Sequence, residues 1–344
     1  MRQEKLQAPF PWFGGKRKVA DLVWVRFGEV KNYVEPFYGS GAVLLGRPVV
    51  SGIETVNDLD GFVANFWRSV KLKPDETAEW ADQPVNENDL HARHVWLLKQ
   101  KERLSDMLCG DPDYCDPRVA GWWAWGISCW IGSGFCSGNG PWWPDETGAL
   151  SKSSAGQGVN RQLPYLGSAG QGVNRQLPHL GNAGQGVNRQ LPHLGNAGLG
   201  VNRLSGWFYA LSERLRFVRV CSGDWSRVCG PSVTTKLGLT GVFLDPPYAD
   251  TSNRAEGLYA QDSMSVAHDV REWAIENGTN PLLRIALCGY EGEHVMPEDW
   301  ECVAWNAGQG YGSQKTDGRT ENGKRERVWF SPACIRPGQT GTLL

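Results

Sequence analysis

Residues 241–250 read Gly-Val-Phe-Leu-Asp-Pro-Pro-Tyr-Ala-Asp, the stretch that most narrows what this chain can fold into. Val242 to Leu244 is a short apolar run of the kind that makes a strand buried on both faces. Two prolines, which can neither donate to a sheet ladder nor continue a helix, end it at once. Asp245, Pro246, Pro247 and Tyr248 are therefore expected on the loop at a strand's carboxyl end. In open α/β sheets that edge is where ligands bind.

The first sixty residues repeat this strand-then-tip pattern. Asn32 to Phe37 is a strand candidate followed by Tyr38-Gly-Ser-Gly41 and a short apolar run from Ala42 to Leu45; two glycines let a main chain pass closely under a nucleoside. Ile53 to Val56 is a second strand ending at Asn57-Asp58. An acid thus follows the last glycine by 17 residues, the place for a carboxylate that binds ribose hydroxyls. A nicotinamide-binding dehydrogenase would show a third glycine here, and Gly-Ser-Gly-Ala-Val-Leu lacks it. Upstream, Pro-Phe-Pro-Trp-Phe-Gly-Gly-Lys (9–16) is a glycine loop feeding a helix over 17–27, with a cation at its entry.

At 344 residues the chain fits one catalytic domain plus a substantial insertion. No segment approaches the roughly 20 apolar residues of a membrane span, and Met1 to Gln7 lacks the apolar stretch of a signal peptide, so an intracellular protein is expected. Nine cysteines with no zinc or redox spacing predict reduced, mostly buried thiols. The formal net charge of −2 hides an asymmetry. Residues 53–116 carry 14 acids against 7 bases, and residues 117–206 carry 6 bases against 2 acids. A phosphate-tracking surface needs a local field rather than a basic total, so the middle third is the candidate.

That middle third has two unusual features. Six tryptophans (122, 123, 125, 130, 142, 143) lie among glycines and serines, either as a small aromatic core or as a platform for bases and sugars. Then 154–167, 168–181 and 182–195 are three near-identical copies of (S/N)AGQGVNRQLP(Y/H)LG, with a fourth trailing off at Leu204. Three glycines and a proline per copy exclude a continuous helix, so loops or short extended turns are expected. They are either a hydrated spacer or a DNA-tracking element built on the pairs Asn160/Arg161, Asn174/Arg175, Asn188/Arg189 and Asn202/Arg203, since arginine clamps phosphate or reads guanine and asparagine reads adenine.

Helices are expected over 61–71, 89–108, 207–215 and 268–277, and further strands over 216–222 and 282–289. Segments 300–306 and 327–330 should form a final antiparallel pair around the glycine-rich, basic loop 307–326, where Lys315 and Arg319 either grip phosphate or are merely solvated. His91 and His94 read as a satisfied pair rather than metal ligands, and no metal site is expected. Asp224, at a strand tip, is either a cofactor contact or a cap.

Taken in order, Trp-x-Gly-Gly-Lys (12–16), Pro-Phe-x-Gly-x-Gly (36–41) with Asn57-Asp58, a long variable region, and Asp-Pro-Pro-Tyr (245–248) resemble the Dam-type DNA adenine-N6 methyltransferases, including members carried by bacteriophages. The resemblance covers roughly 8–110 and 205–332. It implies the α/β S-adenosylmethionine-dependent methyltransferase fold, a seven-stranded, mostly parallel, doubly wound sheet with an inserted DNA-recognition region. The implied division is 1–110 and 205–335 as the two parts of the catalytic domain, 111–204 as the recognition insertion and 336–344 as a tail. The implied cofactor contacts are Trp12, Gly14, Gly15, Lys16, Glu35, Pro36, Phe37, Gly39, Gly41, Asp58 and Asp224. Asp245, Pro246, Pro247 and Tyr248 would form the catalytic loop, with Tyr259 a further contact to a flipped base. The partner is double-stranded DNA, without membrane or obligate protein partner, in the cytoplasm of a bacterial or phage-infected cell. Without the Pro-Cys pair that would carry a cytosine carbon-5 nucleophile, the competitors are cytosine-N4 methylation, methylation of RNA or a protein amide, and an inactive DNA-binding protein on the same fold.

Overall fold

The computed structural model describes residues 6–12, 16–50, 52–130, 135–136, 142–144, 150–152, 201–248, 266–305 and 325–337, with backbone alone at 142–144, 150–152 and 201–203. The chain begins with helix α1 (Arg17–Phe27), strand β1 (Asn32–Glu35), the single turn α2 (Ala42–Leu45) and β2 (Ile53–Asp58). Four helices follow: α3 (Gly61–Leu72), α4 (Pro74–Ala81), α5 (Glu87–Gly110) and α6 (Pro117–Cys129). A short antiparallel ribbon of β3 (Trp142–Pro144) and β4 (Leu150–Lys152) precedes α7 (Val201–Leu215) and β5 (Val218–Ser222). The chain then supplies β6 (Thr240–Leu244), α8 (Val266–Asn277), β7 (Leu283–Tyr290), β8 (Glu301–Ala304) and β9 (Glu326–Phe330).

Seven strands form one sheet in the order β5-β2-β1-β6-β7-β9-β8. The first five are parallel, and β9 enters antiparallel between β7 and β8. Side chains alternate between two buried faces, as a doubly covered sheet requires. Tyr33, Phe243, Ala286, Cys288, Val328 and Phe330 join the larger core, which includes residues of α1 to α7. Val34, Val242, Leu244, Ile285, Leu287 and Trp329 join the smaller one, with Val270 and Ala274 of α8. This is the α/β architecture, with the seven-stranded, mostly parallel sheet of the methyltransferase fold. Strand order reverses between β1 and β6, so a crevice is expected beyond their carboxyl ends.

Two helices, α4 and α6, are not anticipated by the sequence reading. The α6 segment contains Gly121 and Gly126 among tryptophans, and the sequence reading assigns it no secondary structure. In the fold these glycines are close-packing points: a Cβ at Gly121 would lie 2.7 Å from the Ala81 nitrogen of α4, and one at Gly126 would strike the Phe135 ring. Asp116 caps α6 by accepting from the Val119 amide at 3.0 Å, with Pro117 in the first turn. Asn65 exchanges two hydrogen bonds with the Asp116 backbone, tying α6 to α3. Trp123, Trp125 and Trp130 are buried, so at these three positions the tryptophan cluster is core rather than platform.

The repeat copies 154–195 lie outside the described residues. The fourth copy departs from the loop expectation, because α7 begins at its Val201. That copy has Arg-Leu-Ser-Gly where the others have Arg-Gln-Leu-Pro, and without the proline the backbone can continue as helix. All nine cysteines are free thiols, five of them buried. Among the described residues no helix is long and apolar enough to cross a membrane.

A buried ionic cluster joins α7 to the segments before the insertion. Glu54 of β2 receives Arg214 at 2.6 and 2.8 Å and Arg47 at 2.8 Å, and the two guanidiniums also donate to the Leu44 and Val30 carbonyls. Glu54→Ala leaves two buried cations without their anion and is expected to lower stability by about 3–5 kcal/mol, read as a shift of the denaturation midpoint. His94 is also buried. Burial, then the charge of His91, lowers its pKa to about 4 from the ordinary 6.5. The unfolded chain takes up that proton first, so the contribution of neutral His94 is complete above about pH 6.5 and is lost as pH falls toward 4. Between pH 7 and 5, a His94→Phe variant should therefore lose about 2 kcal/mol less stability than the wild type in denaturant titrations.

Candidate functional site

The carboxyl ends of β1 and β6 are brought side by side by their parallel pairing, Val34 opposite Val242. Beyond β1 the chain turns through Gly39 (φ +46) and Gly41 (φ +63), conformations that suit glycine. The turn is fixed from three directions: Tyr38 N–H donates to the Asn57 carbonyl, Gly39 N–H to Asp58 Oδ2 at 2.8 Å, and the Trp67 indole to the Gly39 carbonyl at 2.8 Å. What Gly39 makes room for within the protein is Trp12, whose indole occupies the space a Cβ would need. Trp12 is held there by ring contacts with Phe10 and Trp123, and Phe10 itself is buried against Phe66.

Asp58 ends β2 and is partly exposed. Its second oxygen accepts from the Asp60 amide at 2.9 Å. Burial, then the charge of Asp60, raises its pKa to about 7 against the pull of those amides. Glu35 is buried at the end of β1, where Oε2 accepts from the Tyr33 hydroxyl at 2.8 Å and the Leu44 amide at 3.3 Å, and burial raises its pKa well above the carboxylate range. Pro36 is buried, its carbonyl accepting from Asn57, while Phe37 is half-buried and faces Trp225 with ring centroids 6.3 Å apart at 27°. Asp224 is exposed and accepts from the Ser226 amide at 2.9 Å, capping the short 3-10 turn Trp225–Val228.

Asp245, Pro246, Pro247 and Tyr248 leave the tip of β6 as the sequence leads one to expect. Around them is a compact charged cluster. Lys16, buried at the entry to α1, places Nζ 3.0 Å from Asp245 Oδ1 and 3.7 Å from Glu326 Oε2. The Tyr248 hydroxyl lies 3.3 Å from both carboxylates. Lys16 Nζ stands 5.3 Å from the Tyr248 ring centre and 5.6 Å from that of Trp305, and Tyr290 packs edge-on against Tyr248 at 4.6 Å. Burial raises the Asp245 pKa, opposed first by the charge of Lys16 and then by the hydrogen bonds of Lys16 and Tyr248.

Two features depart from what sequence alone offers. Lys16, expected at the carboxylate end of a cofactor, here pairs with Asp245. Glu326, Tyr290 and Trp305 belong to the cluster although no motif singles them out: Tyr290 ends β7, which pairs directly with β6, while Glu326 opens β9 and Trp305 follows β8, brought there by the pairing of β9 with β7 and β8. Gly14, Gly15, Asn160, Arg161, Asn174, Arg175, Asn188, Arg189, Tyr259, Lys315 and Arg319 lie outside the described residues, and Arg203 is placed by its backbone alone in the first turn of α7.

Asp58 gives a direct check on this electrostatic picture. In carboxyl-labelled aspartate NMR, one resonance should titrate near pH 7 and disappear in Asp58→Asn. A titration complete below pH 5 would mean that burial does not dominate at this carboxylate.

Residues 12–104 match the family model described as D12 class N6 adenine-specific DNA methyltransferase. The matched span includes Trp12, Lys16, the glycine turn and Asp58. Comparison with the curated proteins returns no match.

Proposed function

We propose, for a chain whose residues 12–104 carry a D12 class N6 adenine-specific DNA methyltransferase domain, that the molecule transfers a methyl group from S-adenosylmethionine to N6 of an adenine swung out of double-stranded DNA. The observation that carries this reading is the position of Asp245. It stands at the tip of β6 beside the glycine turn of β1, so a close-approach backbone and a proton-accepting carboxylate share one crevice.

The residues present suit the cofactor. Gly39 and Gly41 keep the main chain bare at the strand tip, and Asp58 retains lone pairs beyond the two amides it accepts, able to receive ribose hydroxyls. Phe37 and Trp225 offer flat apolar faces next to Asp224, and Trp12, Glu35 and Pro36 complete the rim, with Gly14 and Gly15 on the loop before Lys16. When bound, S-adenosylmethionine supplies a methyl carbon on a cationic sulfur, which keeps the C–S electron pair as the amine lone pair forms the N–C bond and the amine sheds one proton.

The chain's own work is alignment. The Asp245 carboxylate and the Pro246 carbonyl each accept one amine N–H, turning the nitrogen lone pair out of conjugation with the ring. Pro246 and Pro247 fix φ and so preset the carbonyl direction. A carboxylate whose pKa is raised by burial is also the better proton acceptor. Tyr248 gives the extruded base a ring to stack on, with Tyr259 a further contact. DNA recognition falls to the chain beyond α6, since α6 packs into the same hydrophobic core as the sheet. There the Asn-Arg pairs (Asn160/Arg161, Asn174/Arg175, Asn188/Arg189 and the arginine at 203) track the duplex, helped by Lys315 and Arg319.

The test is to incubate purified protein with unmethylated genomic DNA and S-adenosylmethionine, identify the methylated nucleoside by mass, and map it by single-molecule sequencing. N6-methyladenine is expected. Asp245→Ala should lower turnover by about 1000-fold or more, with cofactor affinity by calorimetry changed only a few-fold. N4-methylcytosine, or DNA binding with no methylated base, would overturn the reading.

A further inference from the structure

We propose that Glu326 is a further positioning residue of this site: by sharing Lys16 with Asp245, it leaves the cluster around the catalytic loop with a surplus of negative charge. The inference rests on the methyltransferase reading. Glu326 opens β9, opposite Tyr290 in the register of the central antiparallel pair, with its side chain 8 % exposed. A carboxylate buried this deeply is costly unless paired, and both of its side-chain partners belong to the site. They are Lys16 Nζ at 3.7 Å and the Tyr248 hydroxyl at 3.3 Å.

The reason for a second carboxylate follows from counting charges. Lys16 and Asp245, 3.0 Å apart, would cancel by themselves. The ammonium would then compete with the substrate amine for the Asp245 lone pairs and would repel a cationic methyl donor and a nitrogen becoming cationic. With Glu326 in place, one cation is divided between two anions, and Asp245 keeps acceptor capacity. Tyr248, within reach of both carboxylates, can turn its proton from one to the other without leaving its position between them. Burial, together with the like charge of Asp245, raises the pKa of Glu326, and the charge of Lys16 with the hydrogen bonds from Tyr248 and Lys16 opposes this.

The experiment compares wild type, Glu326→Gln and Glu326→Asp in two measurements. By calorimetry without DNA, each protein is titrated with sinefungin, which carries a protonatable amine in place of the sulfonium, and with the neutral thioether product S-adenosylhomocysteine. Glu326→Gln should lose about 5- to 10-fold in affinity for the amine analogue relative to the thioether, a ratio that a purely structural defect would leave unchanged. In single-turnover methylation it should slow transfer by about 10- to 100-fold with the KM for DNA unchanged, and Glu326→Asp should restore much of both effects. If Glu326→Gln fails to fold, the analogue ratio in Glu326→Met, a second uncharged replacement of similar length, decides: a reduced ratio supports the role and a wild-type ratio overturns it. A Glu326→Gln protein that keeps both the ratio and the rate within 2-fold of wild type overturns the inference while leaving the methyltransferase reading intact. A wild-type protein that binds neither analogue and methylates nothing overturns the reading, and with it the role of Glu326.

Discussion

The direct pairing of β1 with β6 is the constraint on which the rest of the molecule depends. About two hundred residues of chain separate Asn32 from Thr240, yet these two strands are neighbours at the middle of the sheet. Everything between them, five helices of two turns or more, β2 and β5, and the long basic stretch, is an excursion that must return to the same register. Parallel pairing sets both carboxyl ends on one edge, so the glycine turn and the Asp-Pro-Pro-Tyr loop meet without a dedicated contact. The Glu54 cluster secures the return: Arg214 of α7 pairs with Glu54 of β2, locking the helix after the long basic stretch onto a strand that precedes it.

Legibility in the sequence followed the range of the signal. The four inner parallel strands were readable because a strand buried on both faces is a short, largely apolar run stopped by glycine, proline or an acid, and 32–35, 53–58, 240–244 and 283–290 are of that form. The glycine turn and the Asp-Pro-Pro-Tyr loop could be placed for the same reason. Helix α6 could not, because Gly121 and Gly126 have a tertiary explanation, the close approach of α4 and of Phe135, that no local pattern contains. Helix α4 carried a local signature, Pro74 followed by Asp75 and Glu76, but is only eight residues long. Glu326 was invisible because a single acid between two arginines reads as surface charge, and only the insertion of β9 between β7 and β8 turns it inward.

The site concentrates charge where solvent is scarce. Lys16, Asp245 and Glu326 are largely withdrawn from water, and Glu35, which feels the charge of Asp245, has its pKa raised first by burial. In such surroundings each charge acts at greater strength than on a surface, and the protonation of one carboxylate alters the others. The aromatic rings around the cluster, Tyr248, Tyr290 and Trp305, therefore do more than pack against one another. They lower the local dielectric that gives the cluster its influence.

The two ends of the basic stretch have a consequence for how this chain can change over time. Helix α6 ends at Cys129 and α7 starts at Val201, and both pack against α4, so the intervening chain is strung between two fixed posts. Loop-closure entropy grows only with the logarithm of length, so one 14-residue copy added to the roughly seventy residues between them changes it by about 0.2 kcal/mol. The fold thus exerts almost no selection on copy number. Gain or loss of a copy by replication slippage would leave both anchoring helices where they are.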